Sequence, residues 1–261
     1  MLEIIEKGSI SARHPVPLLF IHGGCHAAWC WADNFLGYFA DEGFRASAVS
    51  LRGHGHSTST QPIQSCSMAD YLDDVISAAG QVGGNPVVIG HSTGGFLIQK
   101  YLENHRPPAA VLLASTPPQG ILRASMRIWR KHPWTAMRAN TIGESHEVFN
   151  TPALARQQLF SPDTPEDIVR RCAERLEPDS LRAVFVDQAF RLPKLDGVTT
   201  PVLVLGGKED GTISNREVHA TAEAFGTRAE LFPDMGHNMM LDSGWRDVAT
   251  RITTWLQGLG L

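Results

Sequence analysis

The chain has 261 residues, 43% of them hydrophobic and 19% charged, with 23 Lys and Arg against 27 Asp and Glu. This is a globular composition that excludes a disordered chain, and a net charge of −4 leaves no overall basic footprint for nucleic acid. No apolar run reaches the ~20 residues of a membrane helix, and charges at Glu3, Glu6, Lys7 and Arg13 interrupt the start of the chain, so no secretory signal is visible and a cytoplasmic protein is expected.

In chain order, residues 3–11 read as an antiparallel edge strand or hairpin. Five short runs rich in Val, Ile and Leu then follow, at residues 17–21, 45–51, 86–89, 110–114 and 201–205. Continuous apolar runs of this length suit strands buried on both faces, and therefore a mainly parallel sheet. Residues 229–232 add a last, more polar strand. Helical patterns lie between the strands at 32–41, 68–82, 93–105, 215–225 and 245–256. In the second of these, Met68, Leu72, Val75, Ile76 and Ala79 share one face. The alternation predicts a doubly wound α/β sheet.

One stretch breaks the alternation. Residues 117–193 contain helix-length segments cut by Pro133, Pro152, Pro162, Pro165 and Pro178, and no convincing strand. They are expected to form a helical cap inserted into a core of residues 1–116 and 194–261. Placed between two core strands, the cap would lie over the carboxyl ends of the sheet, where open α/β sheets bind ligands.

The motif with the most chemical content is Gly90-His91-Ser92-Thr93-Gly94, a G-x-S-x-G run directly after a predicted strand and before a predicted helix. The glycines permit a sharp turn that lifts the Ser92 hydroxyl to the rim of the sheet, near the positive end of the next helix. A serine hydroxyl needs a base. Of eleven histidines, His237 stands just beyond the last strand, in Phe232-Pro233-Asp234-Met235-Gly236-His237. The base in turn needs an orienting carboxylate. The loop Gly206-Gly207-Lys208-Glu209-Asp210 after the 201–205 strand offers two acids, with Asp210 preferred and Glu209 its competitor. The oxyanion would be met by the backbone amides of Gly24, after Phe20-Ile21-His22-Gly23, and of Thr93. His22 is expected to brace that loop and Cys25 to line the pocket.

These features resemble the α/β-hydrolase superfamily over nearly the whole length of the chain, in strand order, elbow, oxyanion loop, helical cap and the order Ser…Asp…His. Arg52-Gly53-His54-Gly55-His56-Ser57 is similar to that family's R-G-x-G-x-S loop, which makes a metal pair at His54 and His56 an unneeded reading. The segment from His22 to Trp31 is similar to the oxyanion region of plant methylesterases and hydroxynitrile lyases. The lyases carry Thr and Lys where this chain has Gly23 and Asn238-Met239, so the resemblance implies an ester hydrolase.

What it implies, then, is a serine hydrolase that cleaves a small-molecule carboxylic ester through an acyl-enzyme. It would need no metal and no organic cofactor, and it would engage neither nucleic acid nor membrane, as a monomer or a dimer. Hydrolysis of a carbon–carbon bond, thioester cleavage and perhydrolysis share the same machinery, and a ligand receptor on a hydrolase scaffold is the rival from another class. Trp129 and Trp134, among Met126, Ile128, Met137, Phe149, Leu154, Leu159, Phe160, Phe185 and Phe190, are candidates for an apolar pocket. Residues 118–143 carry Arg123, Arg127, Arg130, Lys131 and Arg138 without an acid. That face is expected to look outward to solvent rather than toward Ser92.

Overall fold

The computed structural model describes residues 1–131, 133–134, 146 and 149–261. Met137 and Arg138 lie outside the described residues. Seven strands form one sheet: β1 (Ile4–Lys7), β2 (Leu18–Ile21), β3 (Ala46–Val49), β4 (Val87–His91), β5 (Ala110–Leu113), β6 (Val202–Gly207) and β7 (Ala229–Phe232), in the order β1-β3-β2-β4-β5-β6-β7. The edge strand β1 pairs antiparallel with β3, and every other pair is parallel. The five apolar runs are the five central strands, buried along their whole length because helices cover both faces.

Alternation along each strand divides the core. Leu18 and Phe20 of β2 face a layer containing Trp31, Phe35 and Phe39, whereas Leu19 and Ile21 face Tyr71, Val75 and Phe96. The first layer is formed by α1 (Trp29–Ala32), α2 (Phe35–Asp41) and the C-terminal helix Trp245–Gly258. The second is formed by α3 (Met68–Val82), α4 (Thr93–Tyr101) and the helix Asn215–Ala224. The predicted helix over 32–41 is two short helices, broken after Ala32. α3 begins at a capping box in which Ser67 Oγ accepts from the Asp70 N–H and Asp70 Oδ2 accepts from the Ser67 N–H, and it ends at Gly83, where φ is 71°.

Between β5 and β6 the described residues contain helices and no strand. These are α5 (Leu122–Lys131), α6 (Pro152–Leu159), α7 (Glu166–Arg175) and a π-helical turn over Arg182–Asp187 that continues into Gln188–Phe190. Among the described residues no helix is long and apolar enough to cross a membrane.

Candidate active site

Parallel strands bring their carboxyl ends to one rim, and the site is assembled from the loops that leave it. The register sets Ile21 of β2 beside Gly90 of β4, so the His22–Cys25 loop and Ser92 emerge next to each other. Ser92 adopts φ 51° and ψ −117°, a conformation costly for a residue with a side chain. The turn is held by the Ser92 N–H on Leu113 O at 3.0 Å and by the Thr116 and Phe96 amides on Ser92 O at 3.2 and 3.1 Å. It also requires both flanking glycines. A Cβ on Gly90 would stand 2.6 Å from the Gly94 carbonyl carbon, and one on Gly94 would run into the carbonyl oxygens of Ile21 and His22.

Ser92 and His237 line the same cavity, together with Gly24, Cys25, His26 and Thr93. His237 Nδ1 donates to Asp210 Oδ2 at 2.8 Å, which commits that nitrogen to the carboxylate. The Asp210 carboxylate is fully buried, and its other oxygen accepts from the amides of Thr212 and Ile213 at 2.7 and 2.8 Å. Glu209 is exposed, so of the two acids on this loop it is Asp210 that meets the histidine.

The His237 main chain is pinned from three directions. Its carbonyl accepts from His91 Nε2 at 3.0 Å, the next amide, of Asn238, donates to Leu159 O at 2.7 Å, and the Gly236 amide donates to Asp242 Oδ2 at 2.8 Å. Asp242 is buried and also accepts from Ser161 and Thr164, which ties this loop to the segment after α6.

On the other side of Ser92 the loop expected to meet the oxyanion is oriented through its carbonyls. His22 donates from Nδ1 to Gly23 O at 2.8 Å and accepts at Nε2 from the Leu51 amide at 3.0 Å. His26 donates from Nδ1 to Gly24 O at 2.8 Å and accepts from Asn238 Nδ2 at 3.1 Å. In a trans peptide the carbonyl and the following N–H point in opposite directions. Anchoring Gly23 O therefore turns the Gly24 N–H the other way. Thr93 is the first residue of α4, where helical amides have no intrahelical acceptor. Neither the Gly24 nor the Thr93 amide is committed to an acceptor among the described residues. Burial pushes His22 down to about 3 and His26 to about 4, so both are neutral braces.

The rest of the cavity wall is apolar: Ile121, Ile128, Phe149, Leu159, Val184 and Phe185, with the hydroxyls of Ser125 and Thr212. Cys25, Ile128, Phe149, Leu159 and Phe185 thus stand where an apolar pocket was expected. Trp129 and Trp134 do not: they are 44% and 75% exposed and are not part of the lining. The reason is helical phase. Ile121, Ser125 and Ile128 recur at intervals of four and three and face the cavity, and Trp129 follows Ile128 by ~100° of rotation. The basic residues also turn away. Arg123, Arg130 and Lys131 are exposed, and Arg127 pairs with the buried Glu217 and with Thr212 O. Among the described residues no Arg or Lys lines the cavity. His54 is buried against Asp179, whereas His56 is exposed; among the described residues no group of three or more His, Cys, Asp or Glu converges as a metal site requires.

No bracing role was read in the sequence for His91, Asn238 or Asp242; Asn238 entered only as a departure from the lyases. His91 lies inside the G-x-S-x-G run as its variable residue, and the other two follow His237 in a loop with no periodic signal.

The chain matches the alpha/beta hydrolase family over residues 18–251, and it belongs to that family. It is 36% identical over 110 residues to a non-heme chloroperoxidase of Streptomyces lividans, a match covering 41% of this chain and 39% of the relative. It is 36% identical over 106 residues to a bifunctional esterase/perhydrolase of Acinetobacter calcoaceticus, covering 39% and 38% of the two chains. A probable esterase of Oryza sativa subsp. indica is 31% identical over 173 residues, 58% of this chain and 62% of the relative. The first of these matches thus span about two fifths of the relatives' length. Among solved structures, a thermophilic esterase from Thermogutta terrifontis superposes with a TM-score of 0.78 at 21% identity, covering 100% of this chain and 94% of that one. At that identity the likeness establishes the fold.

Proposed function

We propose that this protein is a serine hydrolase acting on small, uncharged carboxylic esters. The observation that carries the reading is the convergence of Ser92, His237, Gly24 and Thr93 on one apolar cavity, with Asp210 bonded to the far nitrogen of His237. Ser92 Oγ attacks the ester carbonyl carbon as His237 Nε2 takes its proton. Asp210 keeps the imidazole in the tautomer this requires and stabilises the imidazolium that forms. The carbonyl oxygen becomes an oxyanion facing the amides of Gly24 and Thr93. Collapse breaks the bond to the alcohol oxygen, which leaves with the proton from His237. Water then repeats the sequence on the acyl-serine and releases the acid.

The substrate class follows from the wall. A cavity with six apolar side chains and, among the described residues, no Lys or Arg supports an apolar acyl group, since a charged one would lose its hydration without compensation. The helices between β5 and β6 supply most of that wall, and we assign residues 117–193 to a cap over the core. The four cysteines are buried and none is in a disulfide, which supports a cytoplasmic location.

The test is labelling and turnover. A fluorophosphonate should modify Ser92, and butyryl esters should be hydrolysed well ahead of succinyl esters. Labelling elsewhere would overturn the nucleophile, and a preference for succinyl esters would overturn the substrate class. The esterase/perhydrolase and chloroperoxidase relatives support a second reading of the same acyl-enzyme, in which hydrogen peroxide replaces water and a peracid is released. Peracid formation from an ester and peroxide, lost in Ser92→Ala, would establish it.

A further inference from the structure

The oxyanion loop has an anchor outside the Ser–His–Asp set. Cys25 adopts φ 63°, in the left-handed region, although it carries a side chain. Such a residue persists where its surroundings over-determine it. Here the segment after α7 grips it on both sides: the Cys25 N–H donates to Asp179 Oδ2 at 3.0 Å, and Cys25 O accepts from the Glu177 N–H at 2.9 Å.

Asp179 is itself buried and immobilised. Tyr71 Oη and the Ser180 N–H both donate to its Oδ1 at 2.7 Å, and His54 Nε2 stands 3.4 Å from its Oδ2. The carboxylate is therefore addressed by α3, by the loop after β3 and by its own segment. It is not part of the cavity wall. Its Oδ2 nevertheless lies 3.5 Å from where a Cβ on Gly24 would be, beside the residue whose amide is the proposed donor.

A lone negative charge at that distance would repel a developing oxyanion. His54 tempers this. Its Nδ1 is 3.2 Å from Arg52 O and its Nε2 stands 3.4 Å from Asp179 Oδ2. Burial alone would lower His54, but the Asp179 charge outweighs it and raises it, which favours the protonated imidazole that offsets the carboxylate.

We propose that Asp179 is a positioning residue for the oxyanion loop, holding the Cys25 amide so that the preceding Gly24 N–H stays aimed into the cavity. This rests on the ester-hydrolase reading, and the effect is on the transition state rather than on substrate binding. Asn is the isosteric probe, because its NH2 must face one of the donors that now surround the carboxylate.

The experiment compares wild type with Asp179→Asn and with Ser180→Ala, which removes the Ser180 Oγ bond to Cys66 O at 2.6 Å and so loosens the same segment on its far side. Asp179→Asn should lower kcat by about 10- to 100-fold, less than outright loss of an oxyanion donor, with KM changed less than about threefold. Fluorophosphonate labelling of Ser92 should slow by the same factor. Ser180→Ala should lower Tm and leave kcat within about twofold. A kcat within twofold for Asp179→Asn, or equal losses in both variants, would overturn the proposal. Should Asp179→Asn fail to fold, Tyr71→Phe decides: it frees one side of the carboxylate and should cost about 3- to 10-fold in kcat, and no loss sinks the idea. A wild type that hydrolyses no ester but is labelled at Ser92 defeats the ester-hydrolase reading, and the labelling rates still judge Asp179. A wild type not labelled at Ser92 defeats both.

Discussion

The two arms of this active site are held by different means. On the His237 arm, Asp210 is 27 residues from its partner, and both leave adjacent parallel strands, β6 and β7. On the oxyanion arm, Cys25 is held by Asp179, 154 residues away in sequence and contributed by the helical stretch between β5 and β6. The first arm takes its two side chains from the sheet rim, and the helical stretch touches it only at the main chain, through Leu159 O and through Asp242. The second takes a side chain, Asp179, from that stretch. On the proposed mechanism, proton transfer therefore draws its side chains from the core, whereas the oxyanion loop is shaped by both.

Several variants would break or sharpen that contrast. The largest effect belongs to the residue common to both arms. Ser92→Ala should remove ester turnover by about 10⁴-fold or more, because a triad acts as a unit, with thermal stability close to wild type, since alanine keeps the Cβ and the same turn. Residual turnover near wild type would move the nucleophile elsewhere.

Within the core arm, Asp210→Asn should cost about 10³- to 10⁴-fold in kcat by disturbing the His237 tautomer. Glu209→Gln, at an exposed position, should stay within about twofold. Steady-state kinetics in the reverse order would refute the geometry at His237.

Asp242→Asn probes how far the core arm leans on the cap. Its carboxylate accepts from the Gly236, Ser161 and Ser243 amides and from the Ser161 and Thr164 hydroxyls. An amide there leaves buried donors unmet, at about 1–3 kcal/mol each. Urea unfolding should show that loss. If kcat falls no more than about tenfold while stability drops, the His237 arm is independent of the cap, as the contrast requires.

The smallest effect on activity is expected from the basic face of α5. Arg123→Gln and Arg127→Gln should leave kcat/KM for butyryl and succinyl esters within about twofold, since neither side chain lines the cavity. A selective loss on the succinyl ester would place that charge at the substrate. Arg127→Gln should still destabilise the fold. Burial raises the Glu217 carboxyl, but Arg127 and Ser214 outweigh it and hold it below its ordinary value. That stabilisation is present above the unfolded-state pKa and is lost as pH falls through the folded one. Arg127→Gln should flatten that acid-side slope in the pH dependence of unfolding.

How legible each part was in the sequence follows the same division. The central strands stand out because burial on both faces demands unbroken Val, Ile and Leu. α3 was placed at its observed ends, 68–82, by its apolar face. Ser92 was readable because the elbow needs glycine where a Cβ would strike backbone, and that need leaves a mark in the sequence. Asp210 could be favoured over Glu209 but not separated from it, since adjacent residues on a turn differ by direction alone. Trp129 and Trp134 were misplaced because composition reports apolarity and not which way a helix is rotated.

The sequence by itself determined the α/β class and the rim loops and singled out Ser92, Asp210 and His237 as neighbours at that rim, because each answers to a local rule of burial, turn geometry or motif context. The tertiary structure alone decided that Ile121, Ser125 and Ile128 rather than the tryptophans face Ser92, that Arg127 spends its charge on Glu217, and that Asp179 sits behind Gly24. Those outcomes depend on how helices dock far from their partners in sequence, across 90 residues for Arg127 and Glu217 and 154 for Cys25 and Asp179. No local pattern encodes such contacts, because one buried carboxylate meeting one distant amide has no period and no spacing to reveal it.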